Sequence, residues 1–410
     1  MSAPGATSLR ANLRALPREA WILYAGTFVN RFGSFVATFL VLYLRSKGYA
    51  PIEAGGAAGA YGAGSLAAAT IGGYLADRLG RRNTIVLSMF SVAAAMLGLS
   101  QADSLPAIIS LTAAIGFTGE LYRPAASALL GDLVPAERRV AAFAAYRLAV
   151  NAGFAFGPAV AGFLADRSFF LLFLGDAATS VVFGVIALVA LPHGTRSRRS
   201  EERRGEASRT ILADRAFLLF CLATLVGAFV YMQIFAALPL HVRDSGLSNV
   251  AFGWLISLNG IVIVLVELPL VAFTQRLPAR PVMALGNLLI AAGFGLTAFS
   301  HDVLPLVGTV LVWTCGEMVG APVANAYVQS FAPPHLRGRY SGTWGLTNAI
   351  GLIVAPVGGT ALYQWSPGAL WAACAVLGTV AAALILLGPR RRVVPTIAGP
   401  EAVELPGMET

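Results

Sequence analysis

Seven ionisable residues stand inside long apolar runs of the chain: Arg31, Glu120, Arg123, Arg147, Asp176, Glu267 and Glu317. Groups in such places carry protons, bind polar ligands, or pair to hold helices together. Each costs about 2.5–3.5 kcal/mol at the centre of a membrane helix, so they must pair, face protein or water, or be neutralised. Glu120 and Arg123 are three apart and share one helix face. At about 1.5 Å per residue, Arg31 and Glu120 both come near the middle of their runs. The three are therefore either a structural ion-pair cluster or part of a polar cavity. Glu317 has no basic residue in its own run and follows Gly316 in the stretch Trp313-Thr314-Cys315-Gly316-Glu317-Met318. Such a carboxyl would exchange protons near neutral pH, the work of a coupling site, or would be a hydrogen-bonded structural acid. Asp176 would serve protons or cap a polar contact. Glu317, Glu120 and Asp176 are the proton-coupling candidates.

No other chemistry competes. The four histidines, His193, His241, His301 and His335, lie in loops or at the ends of apolar runs. Cys221, Cys315 and Cys374 are all in apolar runs, so neither a disulfide framework nor a metal site is expected. No phosphate-binding loop of the Walker type is present. The expectation is a non-enzyme with no cofactor, driven by an ion gradient, most simply protons.

The elements that must position these residues follow from composition. Of 410 residues, 57% are hydrophobic and 12% charged, against about 25% charged in soluble domains. The apolar residues fall in blocks long enough to cross a bilayer as helices. Twelve spans are expected, near 20–44, 54–76, 83–101, 105–132, 139–165, 168–191, 216–242, 249–274, 281–299, 303–331, 338–363 and 367–388. The fold class is an all-α polytopic membrane protein. Residues 1–19 read as an N-terminal arm, 20–191 as one six-helix bundle, 192–215 as a charged linker, 216–388 as a second bundle, and 389–410 as a tail.

The net charge of +9 does not indicate nucleic acid. With both termini placed in the cytoplasm, 22 of the 29 basic residues fall on that side, four lie outside, and three are within spans. The first 20 residues lead into an apolar segment with no small-residue cleavage site, so no removable signal peptide is expected. The two halves repeat: a shift of 198 carries Arg78-Leu79 onto Arg276-Leu277, Gly153 onto Gly351 and Pro158 onto Pro356. A shift of 197 carries Gly119-Glu120 onto Gly316-Glu317. Paired six-helix repeats suit a transporter with its binding site near the midplane.

Two motifs sharpen this. Gly73-Tyr74-Leu75-Ala76-Asp77-Arg78-Leu79-Gly80-Arg81-Arg82, between spans 2 and 3, resembles the signature loop of the major facilitator superfamily. Gly153-Phe154-Ala155-Phe156-Gly157-Pro158-Ala159-Val160-Ala161-Gly162 in span 5 is similar to the motif of its twelve-helix drug:proton antiporter branch. The pattern departs from that branch in span 1, which holds Asn30-Arg31 where many members carry an acid, and around Arg123, which is followed by Pro124.

The resemblance implies roles for further residues. Gly73, Asp77, Arg78, Arg81 and Asp132 would form a conformational latch, with Asp77 facing the start of span 11 and Arg81 meeting Asp132. Arg147 and Glu267 would gate the seam between spans 5 and 8 on the cytoplasmic side when the pore opens outward, unless each pairs within its own half. Asn30, Arg31, Phe35, Tyr122, Arg123, Tyr231, Gln233 and Tyr327 are candidate cavity residues, and Gly153, Gly157, Pro158 and Gly162 form the antiporter motif.

The implied function is a proton-coupled secondary transporter exporting drug-like or amphipathic molecules by alternating access. A rival reading moves a specific anionic metabolite or lipid-like anion on Arg31 and Arg123; a more distant one is a transporter-like receptor without flux. The expected partners are a small-molecule substrate, protons and the lipid bilayer, with no nucleic acid. The expected site of action is the cell membrane, as a monomer.

Overall fold

The computed structural model describes residues 13–194, 210–333 and 336–388. The first twelve residues of the expected arm, most of the charged linker and the whole of the expected tail lie outside the described residues. Twelve long helices account for the rest: α1 (Arg18–Ser46), α2 (Pro51–Leu79), α3 (Arg81–Ser100), α4 (Leu105–Leu133), α5 (Arg139–Arg167) and α6 (Phe169–Ala190), then α7 (Arg215–Ala236), α8 (Asn249–Thr274), α9 (Ala279–Phe299), α10 (Val303–Phe331), α11 (Arg337–Trp365) and α12 (Pro367–Leu387). Eleven are long and apolar enough to cross a membrane; α2 is as long as any, but its residues are mostly glycine and alanine. The chain is a multi-pass membrane protein.

Polar residues set the helix starts. Ser168, Ser248 and Ser366 accept from the backbone N–H two or three residues on at the starts of α6, α8 and α12, and Asp214 does so for α7. Pro51 opens α2, where Glu53 accepts from the Ala50 N–H at 2.7 Å. Gly80 alone turns α2 into α3 at φ +90°, a conformation glycine adopts without strain.

Three helices are interrupted, which hydropathy does not reveal. Helix α1 breaks at Gly33-Ser34. Thr179 of α6 occupies the space where a Gly33 side chain would lie. Helix α4 breaks at Leu121, where Pro124 deprives the Glu120 carbonyl of its intrahelical donor. Helix α7 breaks at Met232 and again at Ala237, before the short outer turn Leu238–Asp244.

The two halves repeat their packing. Helix α2 lies on α4 as α8 lies on α10; α3 lies on α6 as α9 lies on α12; α1 lies on α5 as α7 lies on α11. Two crossed pairs, α5 with α8 and α2 with α11, join the six-helix bundles. The face carrying the starts of α1 and α7 is here the termini face; the other is the far face.

The seam between bundles is tight at the far face. Gly55 lies against Pro356 and Thr360, Gly59 against Ile353 and Val357, and Gly62 against Leu352. The Ile52 N–H donates to Gln364 Oε1 at 3.2 Å, and Phe39 packs edge-on to Phe252 with ring centroids 5.2 Å apart. Further along the same two helices, Gly73 of α2 and Gly338, Gly342 and Gly345 of α11 border open space.

Candidate functional site

Arg31, at the end of the first segment of α1, points its Nη2 at Glu120 Oε1, 3.3 Å away. Arg123 Nη1 reaches the other carboxylate oxygen at 2.8 Å, and the Tyr61 hydroxyl of α2 donates to Oε1 at 3.4 Å. Glu120 is thus held between two guanidiniums and a phenol, with its side chain 13% exposed and that of Arg123 58% exposed. The Arg31 guanidinium also lies 5.5 Å from the Tyr122 ring centroid, a cation–π distance. The break in α4 at Leu121 lies between the two residues that meet, so Pro124 helps to set their angle.

The α1 break is supported from α6. Asp176 Oδ2 accepts the Val36 N–H at 3.2 Å, which caps the outer segment of α1. Asn30 Nδ2 lies 3.5 Å from both Ser180 Oγ and Met89 Sδ, and Ser34 Oγ donates to the Asn30 carbonyl. A polar cavity of about 30 Å³ lies among Asn30, Arg31, Ser34, Tyr61, Glu120 and Asp176, large enough for an ordered water.

Glu317 occupies the equivalent place in α10 with a different surround. Its Oε2 accepts from Asn259 Nδ2 of α8 at 3.0 Å, and Asn259 also reaches Thr314 Oγ1 at 3.1 Å. Tyr231 of α7 lines the same cavity as this carboxyl. Glu317 forms no ion pair among the described residues. It opens onto a cavity of about 270 Å³ lined by residues that include Phe220, Tyr231, Asn287, Trp344 and Asn348, in which it is the sole acid.

The α5 motif is a wedge between two helices. Gly153 and Gly157 lie against the α1 backbone at Phe28 and Phe32, and Gly162 against Asn249 and Val250 of α8. Pro158 interrupts the hydrogen bonding of α5, and the next amide, Ala159 N–H, donates to Ser257 Oγ of α8 at 2.9 Å. Below the wedge, Arg147 Nη2 meets Glu267 Oε1 at 2.6 Å.

Some expected placements are corrected. The Arg147–Glu267 bridge crosses the seam as expected, but it is formed while the far face is closed, because α5 and α8 pack along their length. Arg81 meets Asp132 as the resemblance implied, and also donates to the Ala128 carbonyl at 2.7 Å. Among the described residues no hydrogen bond or ion pair joins Asp77 to the start of α11; the charge acting with it is that of Arg81, one turn on. Arg78 instead reaches the Tyr74 hydroxyl at 3.0 Å.

Four expected cavity residues are packed away from the large cavity. Phe35 is buried against Gly175 and the Phe32 ring, and Tyr122 is buried against Phe183. Gln233 is fully buried and donates to the Phe229 and Ala355 carbonyls. Tyr327 packs edge-on against Phe220 and Phe331. Of that set, Tyr231 lines the large cavity, and Asn30 and Arg31 line the small one. Tyr61 and Asn259 were not anticipated, although the 198-residue shift maps one onto the other and both serve the paired acids. Arg82 and Arg280, also 198 apart, both clamp a helix exit. Arg280 donates to the Ile385, Leu386 and Gly388 carbonyls, and Arg82 meets His193 just beyond α6.

The chain is 28% identical over 323 residues to the multidrug resistance protein MdtH of Aeromonas hydrophila, covering 77% of this chain and 80% of that protein. It is 26% identical over 330 residues to a Na(+), Li(+), K(+)/H(+) antiporter of Planococcus maritimus, covering 72% and 77% respectively. Among solved structures, a POT family transporter in complex with 5-aminolevulinic acid superposes with a TM-score of 0.76 at 17% identity, over 92% of this chain and 98% of that one. The family model for the Major Facilitator Superfamily matches residues 23–252 and 220–406, and with the paired six-helix bundles in place the chain belongs to that superfamily.

Proposed function

We propose that this transporter exports amphipathic, drug-like organic cations in exchange for protons, from the cytoplasm across the cell membrane. The observation that carries the reading is Glu317: a carboxyl with neutral partners only, on the wall of an aromatic and amide-lined cavity. A buried acid without a cation must be neutralised, by a proton or by a positively charged ligand. Those two occupants exclude each other, and that competition couples them. The basic-residue bias supports termini in the cytoplasm. The cavity is complete within one chain, which supports a working monomer. The names of the MdtH relative and the cation/proton antiporter are consistent with this chemistry.

The anion reading has less support. Both guanidiniums that would bind an anion, Arg31 and Arg123, are already on Glu120. The deciding experiment is purified protein in liposomes with an imposed pH gradient and a lipophilic cationic dye. Dye and proton movement in opposite directions, lost in Glu317→Gln, is the expected result. Movement of an organic anion in place of the dye would replace this reading with the anion one. Sodium or potassium exchange without dye movement would replace it with inorganic cation antiport. Dye binding with no flux of any kind would make the protein a receptor.

A further inference from the structure

The outer turn Leu238–Asp244 beyond α7 packs against the outer segment of α1, and so forms part of the far-face seam. His241 lies in that turn with 3% exposure and has both ring nitrogens engaged. Its Nε2 is 2.8 Å from the Ser300 carbonyl, which can only accept. Its Nδ1 is 3.2 Å from Trp371 Nε1 of α12, which can only donate. The partners fix a neutral imidazole with its proton on Nε2. A second proton would have to sit on Nδ1, facing the indole N–H, donor against donor.

We propose that His241 is a proton-binding site for the far-face compartment, and that its protonation breaks the Trp371 anchor and loosens the seam on that face. The groups around it are few. His301, on the loop before α10, lies with its ring 5.2 Å away and its own Nδ1 3.4 Å from Ser245 Oγ. Asp244 is on the same turn, and its Oδ2 takes the Tyr363 hydroxyl of α11 at 2.9 Å. Helix α12 contributes Trp371, edge-on to the imidazole.

Burial holds the His241 imidazole below the usual histidine range; His301 adds to this, while Ser300 and Asp244 oppose it. The sign follows. The neutral ring belongs to the closed seam, so its contribution is fully present above about pH 6.5 and is lost as pH falls through a lower value. Acid at the far face would favour opening toward the side from which protons enter. The consequence for transport rests on the proposed proton exchange, but the seam measurement needs no substrate, so the two can fail separately.

The test is a spin-label distance between positions 52 and 364, which meet across the closed seam. The full chain is used in lipid nanodiscs, with Cys221, Cys315 and Cys374 replaced by alanine. In the parent protein the short-distance population should fall between pH 8 and pH 5. In His241→Gln, which keeps one donor and one acceptor, it should stay high throughout. In Trp371→Phe, which removes the opposing donor, the pH response should flatten. A parent population that ignores pH, or the same pH response in His241→Gln, overturns the proposal. A response abolished by His301→Gln with His241 intact does so too. If His241→Gln does not fold, Trp371→Phe and His301→Gln decide the matter.

Discussion

Glu120 and Glu317 occupy equivalent positions in the two bundles and are served by equivalent neighbours. Tyr61 of α2 donates to Glu120 at 3.4 Å, and Asn259 of α8, 198 residues later, donates to Glu317 at 3.0 Å. The symmetry ends at charge. Glu120 carries two guanidiniums, whereas Glu317 has the Asn259 amide and, among the described residues, no ion pair. One ancestral-looking place thus holds a fixed ion cluster in the first bundle and a neutralisable acid in the second.

That contrast separates two variants. Glu120→Gln leaves Arg31 buried beside an uncompensated Arg123. Breaking such a buried group costs about 3–5 kcal/mol, so a marked drop in thermal unfolding temperature in detergent is expected. Arg123→Gln, at the exposed end of the cluster, should cost about 0–1 kcal/mol. Glu317→Gln should unfold no earlier than the parent while losing pH-driven dye movement. If Glu317→Gln were the less stable of the two acid variants, the division of labour argued from their surroundings would be wrong.

The difference between what was legible and what was not runs along the same line. Spans were readable because hydropathy is a local property. The Glu120–Glu317 correspondence was readable from the repeat. The rotation of each helix was not, which is why Phe35, Tyr122, Gln233 and Tyr327 were expected in the cavity and lie in packing. The break at Gly33-Ser34 was also hidden, because its cause is Asp176 and Thr179 on another helix. Applying the repeat shift to Tyr61 would have found Asn259.

Asp176 can be assigned by comparing two substitutions. A cap needs an acceptor, not a charge, so Asp176→Asn should keep the bond to the Val36 N–H and change stability little. Asp176→Ala should lose about 0.5–2 kcal/mol, the usual cost of a lost cap. Transport assays on the same pair complete the test: normal proton coupling in Asp176→Asn supports the cap, and loss of coupling in that stable variant makes Asp176 a proton carrier.

The bridge between Arg147 and Glu267 spans α5 and α8 at 2.6 Å. Arg147→Glu and Glu267→Arg should each place like charges together and slow transport at least several-fold. The double swap should recover much of the loss, because the bridge can form in reverse. Transport rates for the four proteins form a complete cycle. No recovery in the double swap would mean that each residue acts through a separate contact and that the seam is not held there.

Asp77 makes no hydrogen bond or ion pair to the start of α11 among the described residues, and the charge acting with it is that of Arg81. The latch expected from the signature loop would therefore belong to a different conformation, in which Asp77 and the start of α11 meet. A helix N-terminus attracts an anion by about 0.3–1 kcal/mol at an exposed site and up to about 2 when partly buried. Asp77→Asn should thus leave the conformation described here untouched and destabilise the opposite one. Spin labels on α2 and α11 at the termini face should report a larger long-distance population in Asp77→Asn than in the parent, with unchanged thermal stability. The Arg81–Asp132 pair offers the control: it is already formed in the conformation described here, so Asp132→Asn should lower stability in this conformation. An Asp77→Asn protein with the parent's distance distribution and transport rate would reduce the loop to a carrier of topological charge.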